Sequence, residues 1–139
     1  MPRSLASILV VDDDEGHCEL VRRSLQRRGI SNPIVSVTDG SMALDYIFCR
    51  GRFANRSAGG ELLVLLDINM PGIDGIEVLR QIKCHPNTRS IPVLMLTTAE
   101  SFREIDRCRE YGCNLYFTKS VESKQIIEAV QRFTLGECL

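Results

Sequence analysis

Residues 62–67 read LLVLLD: five apolar residues with no polar alternation, stopped by a carboxylate. A strand apolar on both faces belongs inside a parallel sheet, covered by helices above and below. Three other short runs end on residues that can handle a phosphoryl group. Residues 8–11 (ILVV) precede Asp12 and Asp13, residues 93–96 (VLML) precede Thr97, and residues 115–118 (LYFT) precede Lys119. As neighbouring parallel strands, these runs bring their carboxyl ends to one edge of the sheet, where open α/β sheets place their ligands. Three carboxylates, a hydroxyl and an ammonium then share one shallow cleft.

Working outward, the pattern predicts strands over 7–12, 33–37, 62–67, 92–97 and 114–118. Segments of helical period alternate with them, as in repeated βα units. A helix over 15–28 puts Cys18, Val21 and Leu25 on one face and closes at Gly29, a left-handed terminator. Helices over 42–50, 75–83 (Ile76, Leu79, Ile82), 102–111 (Phe102, Ile105, Cys108, closing at Gly112) and 122–133 (Ile126, Ile127, Val130, Phe133) repeat the theme. Each lays one apolar stripe on the sheet. Right-handed crossovers make this an α/β, doubly wound, flavodoxin-like fold with strand order 2-1-3-4-5. Residues 51–61 (GRFANRSAGGE), polar with three glycines, read as a long loop entering the central strand.

The 139 residues, 44% of them apolar, fit one domain over 1–139 with no room for an effector module. A domain cut from a longer chain is the other reading of that length. Formal net charge is -1, and no basic run can track a nucleic-acid backbone, so direct DNA binding lacks electrostatic support. Arg22, Arg23, Arg27 and Arg28 share one predicted helix, either as a solvated face or as a docking surface for an acidic partner. No basic and apolar signal segment precedes Ile8, so the six cysteines are expected as thiols in the cytoplasm. None forms a C-x-x-C pair, and the Cys108 to Cys113 spacing is too wide for a zinc knuckle. Most are expected as small, buried or half-buried apolar residues. No apolar stretch approaches the ~18 residues of a membrane span. His17 and His85 are expected at the surface.

The segments ILVVDDDEG, LLDINMPGIDG, VLMLTTAE and YFTKS, in this order, resemble the receiver domain of two-component response regulators, a likeness that runs from about residue 8 to 133. By that resemblance Asp67 is the phosphoacceptor, Asp12 and Asp13 the acidic pair, Thr97 the switch hydroxyl, Tyr116 the switch aromatic and Lys119 the partner lysine. It further implies a sensor histidine kinase as phosphodonor, output by protein contact, and catalysis of the chain's own modification only, without turnover of a free substrate. The T-T after the fourth run, the T-K-S after the fifth and the 51–61 loop resemble the small regulators paired with bacterial and cyanobacterial phytochrome kinases.

Elementary electrostatics supports the same chemistry. Two carboxylates ~4 Å apart repel by about 4 kcal/mol at an effective dielectric of 20, so three in one cleft call for a cation. Mg²⁺, with Mn²⁺ as a substitute, suits oxygen donors: Asp13 and Asp67 directly, Asp12 through water, and the backbone carbonyl of Asn69. Asp67 then serves as a carboxylate nucleophile toward phosphohistidine, with Lys119 balancing charge. Thr97 turns toward the acyl phosphate and Tyr116 fills the space vacated. Asp14 is left to cap the first helix. Thr97 is preferred to Thr98 because it directly follows the apolar run.

Other carboxylate chemistries fail on single residues. Asp67-x-Asn69-x-Pro71-Gly72 begins like a calcium loop, but the closing position that demands Glu is Val78. A haloacid-dehalogenase-type phosphatase needs a second Asp where this chain has Asn69, and neither G-x-x-x-x-G-K-[ST] nor G-x-S-x-G occurs. Ser120 follows Lys119 where most receivers carry Pro, so a trans connection or an altered loop is expected. The outward charges of the last two helices (Arg103, Glu104, Arg107, Glu110, Lys124, Glu128, Arg132) suit a self-complementary homodimer. The rival reading is a receiver-like interaction module that signals without phosphate.

Overall fold

A computed structural model describes residues 6–56, 61–97, 102–118 and 123–136. Lys119, Thr98 and the Lys119-Ser120 link, on which three expectations rest, lie outside the described residues.

Five parallel strands form one sheet: β1 (Ser7–Val11), β2 (Ile34–Val37), β3 (Leu62–Asp67), β4 (Val93–Thr97) and β5 (Leu115–Thr118), in the order β2-β1-β3-β4-β5. The helices are α1 (Glu15–Arg27), α2 (Gly40–Ile47), α3 (Gly75–Cys84), α4 (Phe102–Glu110) and α5 (Ser123–Thr134). This is the expected flavodoxin-like arrangement. Every residue of β3 and β4 is buried, as their unbroken apolar sequences require, whereas edge strand β5 is half-buried throughout. Register places the chemistry: Val11 lies opposite Leu66, Asp67 opposite Leu96, and Thr97 opposite Thr118. Asp12, Asp67, Thr97 and the end of β5 therefore reach the same sheet edge.

Strand alternation divides the interior into two cores. Leu9, Val11, Val64, Leu66 and Met95 pack with α2, α3 and Cys108 of α4. Ile8, Val10, Leu63, Leu65, Leu94 and Leu96 pack with Cys18, Val21 and Leu25 of α1 and Ile126, Val130 and Phe133 of α5. Each such side chain, taken from water, contributes about 2 kcal/mol of transfer free energy. Gly29 and Gly112 adopt φ +84 and +91, the left-handed terminators that the sequence predicts. Among the described residues no helix is long and apolar enough to cross a membrane.

Some boundaries and faces differ from expectation. Helix α2 begins at Gly40, two residues early, because the Asp39 side chain accepts from the Met42 N–H at 2.7 Å and caps it. A Cβ at Gly40 would stand 2.6 Å from the Ile73 carbonyl, so the helix start is pressed against the β3–α3 loop. Within the predicted 51–61 loop, of which residues 57–60 lie outside the described residues, a 3-10 turn spans Gly51–Phe53. Arg56 then folds back onto the end of α2, donating to the carbonyls of Tyr46 (2.8 Å) and Ile47 (3.2 Å) with its guanidinium over the Tyr46 ring. Arg22 fits neither reading of the arginine cluster, since it donates to the Ile34 carbonyl at 3.1 Å and ties α1 to β2. On α4, Cys108 is buried but Ile105 only half-buried. Of the described cysteines Cys18 and Cys108 are buried, Cys49 and Cys113 half-buried and Cys84 exposed, in line with the expectation for most of them.

Candidate functional site

Three successive aspartates follow β1, and the backbone gives each a different task. Asp12 is completely buried; its Oδ1 accepts from the Asp14 N–H at 2.9 Å, and its Oδ2 lies 2.5 Å from His17 Nδ1. Asp13 is exposed at the mouth of the cleft. Asp14 caps α1, accepting from Gly16 N at 2.9 Å and His17 N at 3.3 Å, which is the role its position predicts.

Asp67 closes β3 with 2% exposure, and its Oδ1 accepts from the Asn69 N–H at 3.2 Å. The turn behind it demands glycine. A Cβ on Gly75 would come within 2.1 Å of the Asp67 carbonyl oxygen, so α3 starts directly on the strand end and holds it still. One carboxylate oxygen from each of Asp12, Asp13 and Asp67 lies within 4.8 Å of the others. At that separation each ionised pair repels by about 3 kcal/mol at an effective dielectric of 20. A hard divalent cation fits this donor set: all oxygen, all anionic, two buried and one open to solvent.

Thr97 is fully buried at the end of β4, and its Oγ1 accepts from Asn69 Nδ2 at 3.3 Å. Tyr116 lies opposite Met95 and rests half-buried against the core shared by α2, α3 and α4. Lys119 follows Thr118, the last residue of β5, and lies outside the described residues. Asp12, Asp13, Asp67, Asn69 and Thr97 thus meet at one edge, while Tyr116 stands two residues back along β5.

Two contributions escaped the sequence. His17 was expected at the surface without a partner, but it sits beside the buried Asp12 oxygen, with 17% of its side chain exposed. The available signal was its place in the first turn of α1, where a cap at Asp14 aims that turn back at the strand end. Asn69 was assigned only a backbone carbonyl, whereas its amide also links Asp67's turn to Thr97. His85 is at the surface as expected, its ring edge-on to Phe48. A concavity of about 1050 Å³ opens between α2 and α3, bordered by Phe48, Arg56, His85 and Pro92 at the amino-terminal edge of the sheet. The carboxylates occupy the opposite edge, with Asp12 and Asp67 buried and Asp13 exposed.

Comparison with known proteins agrees with this geometry. The chain is 36% identical over 135 residues to the probable methanogenesis regulatory protein FilR2 of Methanothrix harundinacea, covering 93% of this chain and 83% of that one. It is 34% identical to the response regulator Rcp1 of Synechocystis, covering 89% and 83%. The Mn²⁺-bound crystal structure of Rcp1 superposes with a TM-score of 0.78 at 34% identity over 90% of this chain and 88% of that one. The phosphorylated cyanobacterial phytochrome response regulator RcpA superposes with a TM-score of 0.82 at 32% identity over 94% of each chain. The model of the response regulator receiver domain matches residues 8–131. A parallel sheet in this order, buried aspartates at its carboxyl edge and a match over nearly all the described strands and helices make the chain a member of the response regulator receiver domain family.

Proposed function

We propose that Asp67 is the phosphoacceptor of this receiver and that a sensor histidine kinase is its phosphodonor. The observation that carries the reading is the convergence of Asp12, Asp13 and Asp67 oxygens within 4.8 Å, with the buried Thr97 hydroxyl joined to the same turn through Asn69. An Asp67 carboxylate oxygen forms a bond to phosphorus as the P–N bond of phosphohistidine breaks, leaving an acyl phosphate on this chain. Asp12, Asp13, Asp67 and the Asn69 carbonyl would hold Mg²⁺, or Mn²⁺ in its place. When bound, the ion supplies positive charge against the three carboxylates and the transferring oxygens. Lys119, next after β5, adds a second positive charge at that edge.

The acyl phosphate brings roughly two negative charges and three acceptor oxygens. Thr97, already turned to Asn69 in the cleft, exchanges that amide for a phosphate oxygen, and Tyr116 follows into the vacated volume. The outcome is a changed α4–β5–α5 surface, read by protein contact. Asn69 stands where a phosphatase of the haloacid-dehalogenase type carries its general acid, so the chemistry is self-modification without turnover of a free substrate. A cytoplasmic location accords with the free cysteines Cys18, Cys49, Cys84, Cys108 and Cys113. Likeness to the phytochrome response regulator RcpA supports a phytochrome-type kinase as the partner.

The test is phosphorylation by a small acyl phosphate with Mg²⁺. One phosphoryl group is expected on wild type, none on Asp67→Asn, and none when the metal is chelated. An unchanged mass gain in Asp67→Asn defeats the assignment. Faster transfer from a phytochrome kinase than from an unrelated sensor kinase is expected, and equal rates defeat that pairing.

A further inference from the structure

The carboxyl end of α4 carries a second reactive feature, at the sheet edge opposite the carboxylates. Gly112, at φ +91, donates its N–H to the Arg109 carbonyl at 3.0 Å, and Cys113 donates its N–H to the Cys108 carbonyl at 3.0 Å. This pair of bonds is a Schellman closure, which folds the residue after the glycine back over the residue five positions earlier. An apolar contact ordinarily fills that place. Here both positions are cysteine and both thiols are free, with Cys113 packed against the core cluster that holds the buried Cys108.

The two thiols are not equivalent. Cys108 is fully buried, whereas Cys113 is half-buried and reaches solvent. The hydrogen bond from Cys108, then the positive charges of Arg109 and Lys83, pull the Cys113 thiol below its usual range against its partial burial. The same hydrogen bond, reinforced by burial, pushes Cys108 up. Lys83 is fixed in place by the carbonyls of Ile91 at 2.6 Å and Arg89 at 3.1 Å, with its methylene chain close to Gly112. A solvent-facing thiol with thiolate character thus sits on a buried thiol of its own chain, the arrangement of a peroxidatic and a resolving cysteine.

We propose that Cys113 and Cys108 form a peroxide-reactive dithiol that closes as a disulfide across the α4 cap. The Cys113 sulfur attacks one oxygen of hydrogen peroxide; an S–O bond forms, the O–O bond breaks, and the departing hydroxide takes a proton as water. Cys113 is left as a sulfenic acid. The Cys108 sulfur then attacks the Cys113 sulfur; the S–S bond forms, the S–O bond breaks, and the Cys108 proton leaves with that hydroxide as a second water. Two thiols are oxidised and one peroxide is reduced. The bridge fixes the end of α4 to the start of β5, two of the elements in the proposed output surface.

The experiment treats the full chain with hydrogen peroxide, alkylates the remaining thiols after unfolding, and maps tryptic peptides. Cleavage after Arg107, Arg109 and Lys119 separates Cys108 from Cys113, so their bridge appears as one joined peptide, lost on reduction. That joined peptide is expected as the main oxidation product in wild type. Cys108→Ala, which keeps a small apolar side chain in the core, should stop at a Cys113 sulfenic acid trapped by a cyclic 1,3-dione. Cys113→Ser should leave Cys108 unoxidised. Lys83→Gln should slow Cys113 oxidation about threefold, the gain in thiolate being partly offset by nucleophilicity. Cys108 and Cys113 both still alkylatable in treated wild type, or bridges made instead by Cys49, Cys84 or Cys138, would overturn the proposal. So would oxidation of Cys108 at the wild-type rate in Cys113→Ser.

Discussion

Asp12, Asp13 and Asp14 are chemically the same side chain, and only backbone position separates the buried anion, the open anion and the helix cap. The strand ends before Asp12, burial follows, and the charge has no solvent to relax into. Removing one charge from such a cluster relieves repulsion. In metal-free buffer, Asp67→Asn should therefore raise the urea midpoint, a gain of about 1 kcal/mol or more, and lose most of the wild type's stabilisation by added Mg²⁺. A midpoint that falls in Asp67→Asn would show that the carboxylate is held by favourable contacts that outweigh the repulsion. Gly75 makes the converse case, in which the missing atom matters. Gly75→Ala forces a Cβ to 2.1 Å from the Asp67 carbonyl oxygen, a backbone atom that cannot swing aside, so a loss of about 3 kcal/mol is expected in denaturant unfolding. The acidic cluster was legible because strand-end carboxylates need only the register to converge. His17 was not, because its place beside Asp12 exists only once the Asp14 cap has turned α1 back over the strand end.

At the scale of elements, helix starts follow caps more faithfully than hydrophobic period. Asp39, Asp74 and Asp14 each accept from the first turn of α2, α3 and α1, and only for α2 did the apolar pattern begin after the cap. Gly40 and Ser41 look like loop residues, yet Gly40 is there because Ile73 crosses at contact distance, a tertiary fact absent from local sequence. In the described part of the 51–61 loop the polarity is real, and what local sequence does not show is that Arg56 turns its guanidinium onto the carbonyls that end α2. Helix α3 has an element-scale acid response. Arg80 hydrogen-bonds the Glu77 carboxylate, aided by Gln81, and brings its pKa from 4.5 down to about 2. A depressed folded pKa stabilises above the unfolded value and is lost as pH falls through the folded one. The Glu77 contribution should be complete above pH 4.5, decline below it, and vanish near pH 2. Because the pair is solvent-exposed, Glu77→Gln should cost no more than about 1 kcal/mol at neutral pH. Urea midpoints of the two proteins measured down the acid range should converge; a gap that widens on acidification contradicts the sign.

For the molecule as a whole, the sheet separates input from output. The proposed phosphoryl chemistry belongs to the carboxyl edge, and the nearest exposed elements beyond Thr97 and Tyr116 are α4, β5 and α5. Arg103, Arg107, Glu110, Lys124, Glu128 and Arg132 are exposed on those helices, as the sequence predicts, while Glu104 is half-buried. Acidic and basic residues alternate on a face made of two adjacent helices and an edge strand. Turned through a two-fold axis, such a face can set Glu110 or Glu128 of one copy against arginines of the other. We therefore expect a homodimer through this face, strengthened when Asp67 carries phosphate, because the same elements answer Thr97 and Tyr116. Charged contacts across a partly solvated interface weaken with salt, so the dimer should dissociate as ionic strength rises. Sedimentation across protein concentration and salt, with and without a phosphoryl mimic, reads this directly. Glu128→Lys should shift the equilibrium toward monomer by about tenfold at low salt, the effect of 1.4 kcal/mol, and leave the extent of Asp67 phosphorylation unchanged. A monomer at every concentration and salt level, phosphorylated or not, would leave the surface to a different partner.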